Sequence, residues 1–238
     1  MASQFLDFKP GGAARVVFSH NLAFFTGHAA PQYATLREQS AAVLRRYDEL
    51  FAQFGLLKKN ILYSVCYLKN ADDEEQFTDE YFQWIDPENP PAGYTVTGMP
   101  IQHSPVGDNI LIELQFIVAT DPNAEIQRFD ITRGSRMVMY DGMAYFTGHV
   151  YPKADTLGEQ TAGVLRRYDE LFEQFGYKKE NIVMTYGYVR DIEQYMEYEE
   201  PMKAWRDPER PSAGVLVQAV PSGDENQLEL QFIVSLDD

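Results

Sequence analysis

The sequence has very few residues of the types that form disulfides, thiolate sites and metal centres. Its 238 residues include one cysteine, Cys66, and four histidines. A single cysteine excludes an intrachain disulfide and a cysteine metal cluster, and it is typical of the reducing cytoplasm, where we expect the protein to act. Cys66 lies in the apolar run ILYSVCYL. That setting favours a small core residue over a nucleophile.

Positive charge is also scarce, and long apolar runs are missing. The chain has 20 lysines and arginines against 36 aspartates and glutamates, a net charge of −16. Such a protein repels phosphate backbones and anionic lipids, so we expect neither nucleic acid nor a membrane as partner. No apolar stretch approaches the roughly 20 residues of a membrane span. The amino terminus lacks a basic start and a long apolar stretch, so we expect no signal peptide.

What the sequence does contain is a duplication. The tetrapeptide FTGH occurs at residues 25–28 and 146–149, and LRRYDELF occurs at 44–51 and 165–172. Both pairs are separated by the same 121 residues (146 − 25 and 165 − 44). A repeat of this length has the size of a domain and is too long for a solenoid unit.

The register of the repeat changes only near the end of each copy. ELQFIV occurs at 113–118 and 229–234, an offset of 116 residues (229 − 113), so one loop of the second copy is five residues shorter. We predict two tandem domains, residues 1–121 and 122–238. The stretch ATDPNAEIQRFDITRGS between them is predicted to be a linker.

Local motifs predict the elements at the start of each copy. Asp141-Gly142 between two apolar runs indicates a tight β-hairpin that ends at FTGH. Thr35 with Glu38 forms a capping box before an amphipathic helix, and Gly55 suits the end of that helix. The second copy repeats these motifs 121 residues later. Pro201 interrupts a second helix there, which we expect to start late or to be short.

Apolar, β-rich segments complete each copy. A strand follows the first helix, and two strands close each copy, at 94–99 with 110–118 and at 215–220 with 228–234. The order β-β-α-β-α-β-β, present twice, predicts an α+β fold with both helices on one face of a sheet. Because the last strands are apolar on both sides, we expect another domain or subunit to cover the open face.

The ordered set of motifs resembles the RidA (YjgF-like) family of enamine and imine deaminases. FFTGHAAP resembles the family's Ser-Gly-Gln-Ile-Pro segment, TLREQSAAVLRRYDELFAQFGL its long helix, and ILIELQFIVA its last strand. The resemblance covers nearly the whole chain as two copies. It implies chorismate-mutase-like domains that associate in threes as barrel-forming units, with small-molecule clefts between neighbours and no cofactor. Three two-domain chains would supply six domains for two barrels, so a homotrimer is favoured and a dimer is possible.

The resemblance also implies site residues. The family's glutamate, which positions the hydrolytic water, corresponds to Glu113 and Glu229. The glycine that offers backbone contacts corresponds to Gly27 and Gly148. From the residues alone, each glutamate could equally form a structural ion pair, because a carboxylate among apolar neighbours needs a partner.

One position departs from the family. Where the family has an arginine that binds the substrate carboxylate, this sequence has Gly93 and Gly214. Glycine cannot supply the paired hydrogen bonds of a guanidinium, so we expect poor binding of the usual 2-imino acids. The expected function is hydrolysis of an imine, an enamine or a related C–N compound. The alternative is a ligand-binding or assembly module that has lost the chemistry.

Six further residues are candidates for the same cleft. His28 and His149 could assist proton transfer or bind an anion, or they could be hydrogen-bonded residues at an interface. Arg15 and Arg136 could replace the missing guanidinium, although strand-end salt bridges are favoured. Thr26 and Thr147 could donate a hydrogen bond into the cleft, or they could be ordinary strand residues. One histidine and one glutamate per copy are too few ligands for a metal site.

Overall fold

Each sequence repeat supplies the helices and most of the strands of one α+β layer. The computed structural model describes residues 4–6, 14–98 and 109–236. The elements of the first copy are β1 (Gln4–Leu6), β2 (Val16–Ser19), β3 (Leu22–Phe25), α1 (Leu36–Phe54), β4 (Ile61–Leu68), α2 (Glu74–Trp84), β5 (Ala92–Val96) and β6 (Ile112–Ala119). Those of the second are β7 (Gln127–Ile131), β8 (Ser135–Tyr140), β9 (Met143–Phe146), α3 (Leu157–Phe175), β10 (Ile182–Val189), α4 (Tyr195–Trp205), β11 (Ala213–Gln218) and β12 (Leu228–Ser235).

The two sheets have the same strand order. One runs β1-β2-β3-β6-β4-β5 and the other β7-β8-β9-β12-β10-β11. The pairs β4–β5 and β10–β11 are parallel, and the other registered pairs are antiparallel. The predicted order β-β-α-β-α-β-β is confirmed, with one extra strand at the start of each copy. Within the described residues neither sheet closes into a barrel.

Local chemistry fixes the first hairpin and the long helix of each copy, as predicted. Thr35 and Glu38 form the reciprocal capping box at the start of α1. Gly55 ends α1 in the left-handed conformation, at φ 67°, where glycine carries no steric penalty. In the β8–β9 hairpin, Asp141 and Gly142 both have positive φ, at 50° and 75°. These devices act over a few residues, so the sequence is sufficient to predict them.

Several predictions about elements were wrong. The stretch predicted to be a linker contains the strand β7, which pairs antiparallel with β8. Pro201 does not shorten its helix, because α4 has 11 residues and so has α2. Proline removes one backbone hydrogen bond, but the buried side chains of Tyr198 and Met202 hold α4 against the sheet. Strand β5 ends at Val96, before the described residues Thr97 and Gly98, so its predicted extension is wrong there; the predicted end, Met99, lies outside the described residues.

Contacts divide the chain into two compact units at Asp141 and Gly142, so β7 and β8 fall in the first unit. There β8 packs against β4 and β5. Arg128 on β7 donates hydrogen bonds to the carbonyls of Lys59 (2.6 Å), Ile61 (3.2 Å) and Pro90 (3.2 Å). Burial lowers the pKa of Arg128 to about 10. The domain boundary between residues 121 and 122 stays a prediction.

An aromatic cluster forms the core on the helix side of each sheet. Tyr47 of α1 packs edge-on against Phe116 of β6, with ring centroids 4.5 Å apart, and Trp84 of α2 stacks on Phe116 at 5.6 Å. Tyr168 and Phe232 repeat the first contact at 4.4 Å in the second copy. Both helices of the first copy therefore lie on the same face of the sheet, as predicted. No helix in the described part of the chain could span a membrane.

Candidate functional site

The FTGH segment leaves the hairpin and joins the last strand of its own copy through one isolated bridge. The backbone N–H of His28 donates to the carbonyl of Leu114 (2.8 Å), and the N–H of Leu114 donates back to His28 (3.1 Å). His149 and Leu230 make the same pair in the second copy, at 2.9 and 3.0 Å. Because the bridge is antiparallel, the residue before each histidine and the residue before each leucine lie diagonally on the same face of the sheet.

Those neighbours are the predicted glycine and glutamate. A methyl group at Gly27 would lie 1.8 Å from Oε1 of Glu113, and one at Gly148 would lie 1.8 Å from Oε1 of Glu229. Contacts of that length are impossible, so each carboxylate occupies the space that a side chain at the glycine would need. The structure thus brings the glycine and the glutamate together in both copies.

The surroundings partly withdraw these carboxylates from water. Glu229 is 5% exposed, and the backbone N–H of Ser222 donates to its Oε2 at 3.4 Å. Glu113 is half-buried. Across the sheet, Tyr67 lies opposite Glu113 and Tyr188 lies opposite Glu229. A carboxylate held in this way can accept hydrogen bonds from a bound molecule or take a proton from water.

The histidines face away from the glutamates. Alternation along a strand puts His28 and Leu114 on one face and Glu113 on the other. The His28 ring contacts Tyr47 of α1, at 4.9 Å between centroids, and Leu114 is in the core on that side. The structure therefore does not bring histidine and glutamate together across the backbone, and His28 is on the helix side.

His149 has the partners expected of a structural histidine. It is 3% exposed, and its Nδ1 lies 3.0 Å from the carbonyl oxygen of Thr147 and 3.0 Å from the hydroxyl of Tyr168. Nδ1 can donate to the carbonyl or accept from the hydroxyl, and either arrangement fixes the ring. The Tyr168 hydroxyl in turn lies within hydrogen-bonding distance of the Leu230 carbonyl (3.0 Å). This network ties the bridge to helix α3.

Gly93 and Gly214 lie at a distance from the glutamates along the sheet. Gly93 pairs with Ser64, three residues along β4 from Tyr67, the partner of Glu113. Ser64 and Tyr67 face opposite sides of the sheet, since three positions reverse the alternation. A methyl group at Gly93 would lie 2.1 Å from the Ser64 carbonyl oxygen, and its φ is 157°. The first copy therefore has no room for a side chain there.

The remaining candidates have backbone or surface roles in the described structure. Arg136 forms an exposed ion pair with Asp130 in the β7–β8 hairpin, Nε to Oδ2 at 2.5 Å, which is the favoured strand salt bridge. Arg15 is exposed, and its carbonyl accepts from the N–H of Thr26 (3.1 Å). The carbonyl of Thr147 accepts from the Tyr168 hydroxyl (3.3 Å).

Two tyrosines that face the glutamates were not among the predicted site residues. Tyr67 and Tyr188 are related by the 121-residue offset and lie opposite Glu113 and Glu229. In the first copy the hydroxyls of Tyr67 and Tyr94 are 3.4 Å apart. The offset alone could have identified Tyr67 and Tyr188 as a duplicated pair. Among the described residues no cluster of histidine, cysteine, aspartate and glutamate is suited to a metal ion.

Comparison with known proteins identifies the family. The family model described as Endoribonuclease L-PSP matches residues 127–235. A RutC family protein of Haemophilus influenzae is 33% identical over 86 residues, which make up 35% of this chain and 73% of that protein. The chain belongs to the RutC/YjgF family.

Solved structures give matches to half of this RutC/YjgF chain and to nearly all of it. A YjgF family member from Neisseria meningitidis is 28% identical, covers 48% of this chain and 98% of its own, and has a TM-score of 0.47. A chorismatase is 14% identical, covers 94% of this chain and 76% of its own, and has a TM-score of 0.60. The chorismatase likeness concerns the fold alone, and it extends over both copies.

Proposed function

We propose that this RutC/YjgF protein is a RidA-like hydrolase that acts on an imine, an enamine or a related C–N compound. The observation that carries the proposal is the close contact of a glutamate with a glycine in each copy, which we call the glutamate seat. Glu113 on Gly27 and Glu229 on Gly148 have the same 1.8 Å relation in two copies whose sequences differ elsewhere. Because only glycine leaves room for the carboxylate, the position of this hydrogen-bond acceptor is fixed. The glycine backbone beside it has no side chain to cover it.

The proposed chemistry needs one carboxylate and one water molecule. Glu113 or Glu229 accepts a proton from water while the water oxygen bonds to the imine carbon. The proton then passes to nitrogen, which gives a carbinolamine. The carboxylate next takes the hydroxyl proton of the carbinolamine and passes it to nitrogen, the C–N bond breaks, and ammonia or an amine leaves as the carbonyl forms. The backbone at Gly27 or Gly148 holds the substrate near the carboxylate, which lowers the entropic cost of the step.

The substrate class follows from the missing guanidinium. Glycine at 93 and 214 leaves no side chain to grip a carboxylate at the position that matches the family's arginine. Arg128 cannot take its place, because its guanidinium is already bonded to three backbone carbonyls. We therefore propose cyclic imines and enamides ahead of 2-imino acids.

The matching family model is named for an endoribonuclease, so cleavage of RNA is a second reaction to consider. The net charge of −16 opposes it, because RNA binding depends on neutralising phosphates with lysine and arginine. A small neutral or cationic molecule suffers no such repulsion. The proposal is therefore limited to small-molecule substrates.

A ligand-binding module without catalysis is the second candidate. One observation favours it: the histidines face the helices, so no described histidine assists the glutamate. In that case the glutamate seat would hold the N–H group of a ligand. Binding without turnover would distinguish this candidate from the hydrolase.

We propose a homotrimer as the working assembly. Strand β5 is largely buried in the first unit, where β8 packs on it, whereas its counterpart β11 is exposed along most of its length. An exposed strand beside a buried equivalent favours a further chain over β11, such as the first hairpin of a neighbouring chain. Light scattering should give three times the mass of one chain; the mass of one or two chains would exclude the trimer.

The proposed reaction is tested by a substrate screen against a matched variant. Cyclic imines, enamides and 2-imino acids are incubated with the protein, and release of ammonia or amine is measured. The control is the double variant Glu113→Gln with Glu229→Gln, which keeps the shape and removes the base. Turnover of a cyclic imine or an enamide that the double variant loses supports the proposal. Turnover that the double variant retains contradicts it.

A further inference from the structure

A second concave site lies in the unit that begins at Gly142. It is a cavity of about 310 Å³ between helix α4 and the edge strand β11. Its walls include Thr185 on β10 and Gly214 on β11. Thr185 is three positions from Tyr188, the partner of Glu229, so the cavity lies on the opposite face of the sheet from that carboxylate. The site is distinct from the glutamate seat.

Comparison of the two copies shows where the space comes from. Met202 and Val215 line the cavity, and their counterparts 121 residues earlier are Tyr81 and Tyr94. In the first copy Tyr81 is buried and stacks on Phe77, with ring centroids 5.6 Å apart. Of the two tyrosines only Tyr81 lies on this face of the sheet, because Tyr94 pairs with Val65 and its hydroxyl meets that of Tyr67 on the glutamate face. The exchange of Tyr81 for the smaller Met202 removes volume that fills this place in the first copy.

The charge of the wall differs between the copies as well. Arg206 and Arg210 line the cavity, and their counterparts are Ile85 and Asn89. The other charged residues of the wall are Lys179, Glu199 and Asp207. Relative to the first copy the wall gains two arginines and the carboxylate of Glu199, which corresponds to Thr78. The wall also loses a carboxylate, because Tyr195 corresponds to Glu74. The second copy is therefore more positive by two charges at this place (2 − 1 + 1), in a protein that is acidic overall.

The pairing of these charges leaves one guanidinium available. Arg206 forms an ion pair with Glu199, and Lys179 pairs with Asp169 at 3.0 Å. The guanidinium of Arg210 makes no ion pair with any described residue. The Asp207 carboxylate, in the same wall, accepts from the backbone N–H of Arg210 (3.1 Å), so the guanidinium can make two parallel hydrogen bonds to a ligand's carboxylate.

The rest of the wall suits an apolar body with a polar end. Trp205 stacks on the buried Phe232, with ring centroids 5.4 Å apart, and the ammonium of Lys179 lies 4.5 Å from the centroid of the Trp205 ring. The hydroxyls of Thr185 and Ser212 are 2.7 Å apart and can bond a second oxygen of a ligand. Pockets of this volume with an apolar floor and a few polar groups are typical of small-molecule sites.

We propose that this cavity binds a small organic acid, with its carboxylate on Arg210 and its apolar body against Trp205. The first copy lacks the two arginines, so binding is a property of the second copy alone. The inference does not depend on the hydrolase, because the cavity and the glutamate seat lie on opposite faces of the sheet.

The probes are benzoate and its neutral isostere benzamide, observed by two-dimensional NMR of the full chain. The chain has two tryptophans, so each indole N–H resonance reports on one copy. Benzoate should shift the resonance of Trp205 and leave that of Trp84 unchanged. Benzamide should bind at least about tenfold more weakly, because it lacks the charge.

Two variants carry the corresponding residues of the first copy, and a third variant serves as control. Arg210→Asn should raise the Kd for benzoate at least about tenfold, the loss expected for one charge-assisted contact. Met202→Tyr should abolish the shift by filling the space, with retention of the Trp205 resonance as the check on folding. Arg166→Asn removes the same charge from an exposed position on α3 and should leave Kd unchanged. Absence of a Trp205 shift at about 10 mM benzoate, equal binding of benzamide, or equal effects of Arg210→Asn and Arg166→Asn would overturn the proposal.

Discussion

At the scale of single residues, the structure separates candidates that share a tetrapeptide. Gly27 and His28 are adjacent in FTGH, but one supports the glutamate and the other packs on Tyr47 of α1. The pairing of glycine and glutamate was expected from the family resemblance. The sequence could not assign the histidine to a face, because that depends on the single bridge to Leu114 after the strand has ended.

The contact between Gly27 and Glu113 predicts that the effects of substitutions at the two positions are coupled. Gly27→Ala should destabilise the protein by about 1–2 kcal/mol, because the new methyl group must displace the Glu113 carboxylate. In a Glu113→Ala background the same change should cost less by at least about 0.5 kcal/mol, as expected for residues in contact. Urea unfolding of the four proteins measures both values. An equal loss of unfolding free energy for Gly27→Ala in the two backgrounds would show that the Glu113 carboxylate does not lie against Gly27.

The two glycines at the position of the family's arginine should respond differently to alanine. Gly93→Ala should cost about 2–4 kcal/mol, because its methyl group meets a backbone oxygen at 2.1 Å in a conformation that favours glycine. At Gly214 the nearest atom is 3.1 Å away, so Gly214→Ala should cost less than about 1 kcal/mol. Thermal unfolding compares the two. A larger loss for Gly214→Ala would contradict the difference between the copies.

At the scale of elements, what could be predicted depends on how far along the chain the cause lies. The long helices α1 and α3 were predictable because caps and apolar spacing are local. Strand β7 was missed because QRFDI lacks a strong pattern of its own and depends on pairing with β8. The length of α4 was misjudged because packing of its apolar face outweighs the proline.

The proline in α4 predicts a stabilising substitution. Pro201→Ala restores the N–H that can bond to the carbonyl of Glu197, so it should raise the free energy of unfolding by about 1–3 kcal/mol. Lys203→Ala, at an exposed position of the same helix, serves as control and should change it by less than about 0.5 kcal/mol. Denaturant unfolding monitored by circular dichroism gives both values. A loss of stability in Pro201→Ala would mean that the proline ring contributes to packing.

At the scale of the whole molecule, duplication conserved the topology and allowed the surfaces to diverge. Strand order, caps and the aromatic core are repeated, whereas β5 is buried and β11 is exposed. The repeat was evident from the sequence because it is a property of the chain order. The cavity beside β11 was not, since it arises from substitutions that are distant in sequence and adjacent in the fold.

The tyrosines predict how the whole protein responds to alkaline pH. Burial raises the pKa of Tyr47 and Tyr198, and it raises the pKa of Tyr177 to about 12. A raised folded-state pKa means that the neutral form is favoured by folding, so stability is complete below the unfolded pKa of about 10 and falls as pH rises above it. Urea midpoints between pH of about 9 and about 11 should decline, and Tyr177→Phe should reduce the slope. Constant midpoints over that range would contradict the pKa shifts.

The most direct test of the proposed function is the turnover number of the two single variants and the double variant, measured on a substrate found in the screen. Glu113→Gln and Glu229→Gln should each remove the part of kcat that belongs to their copy. The double variant should lose at least about 100-fold, which is the lower range for removal of a general base. Unchanged turnover in the double variant would contradict a catalytic role for the glutamate seats.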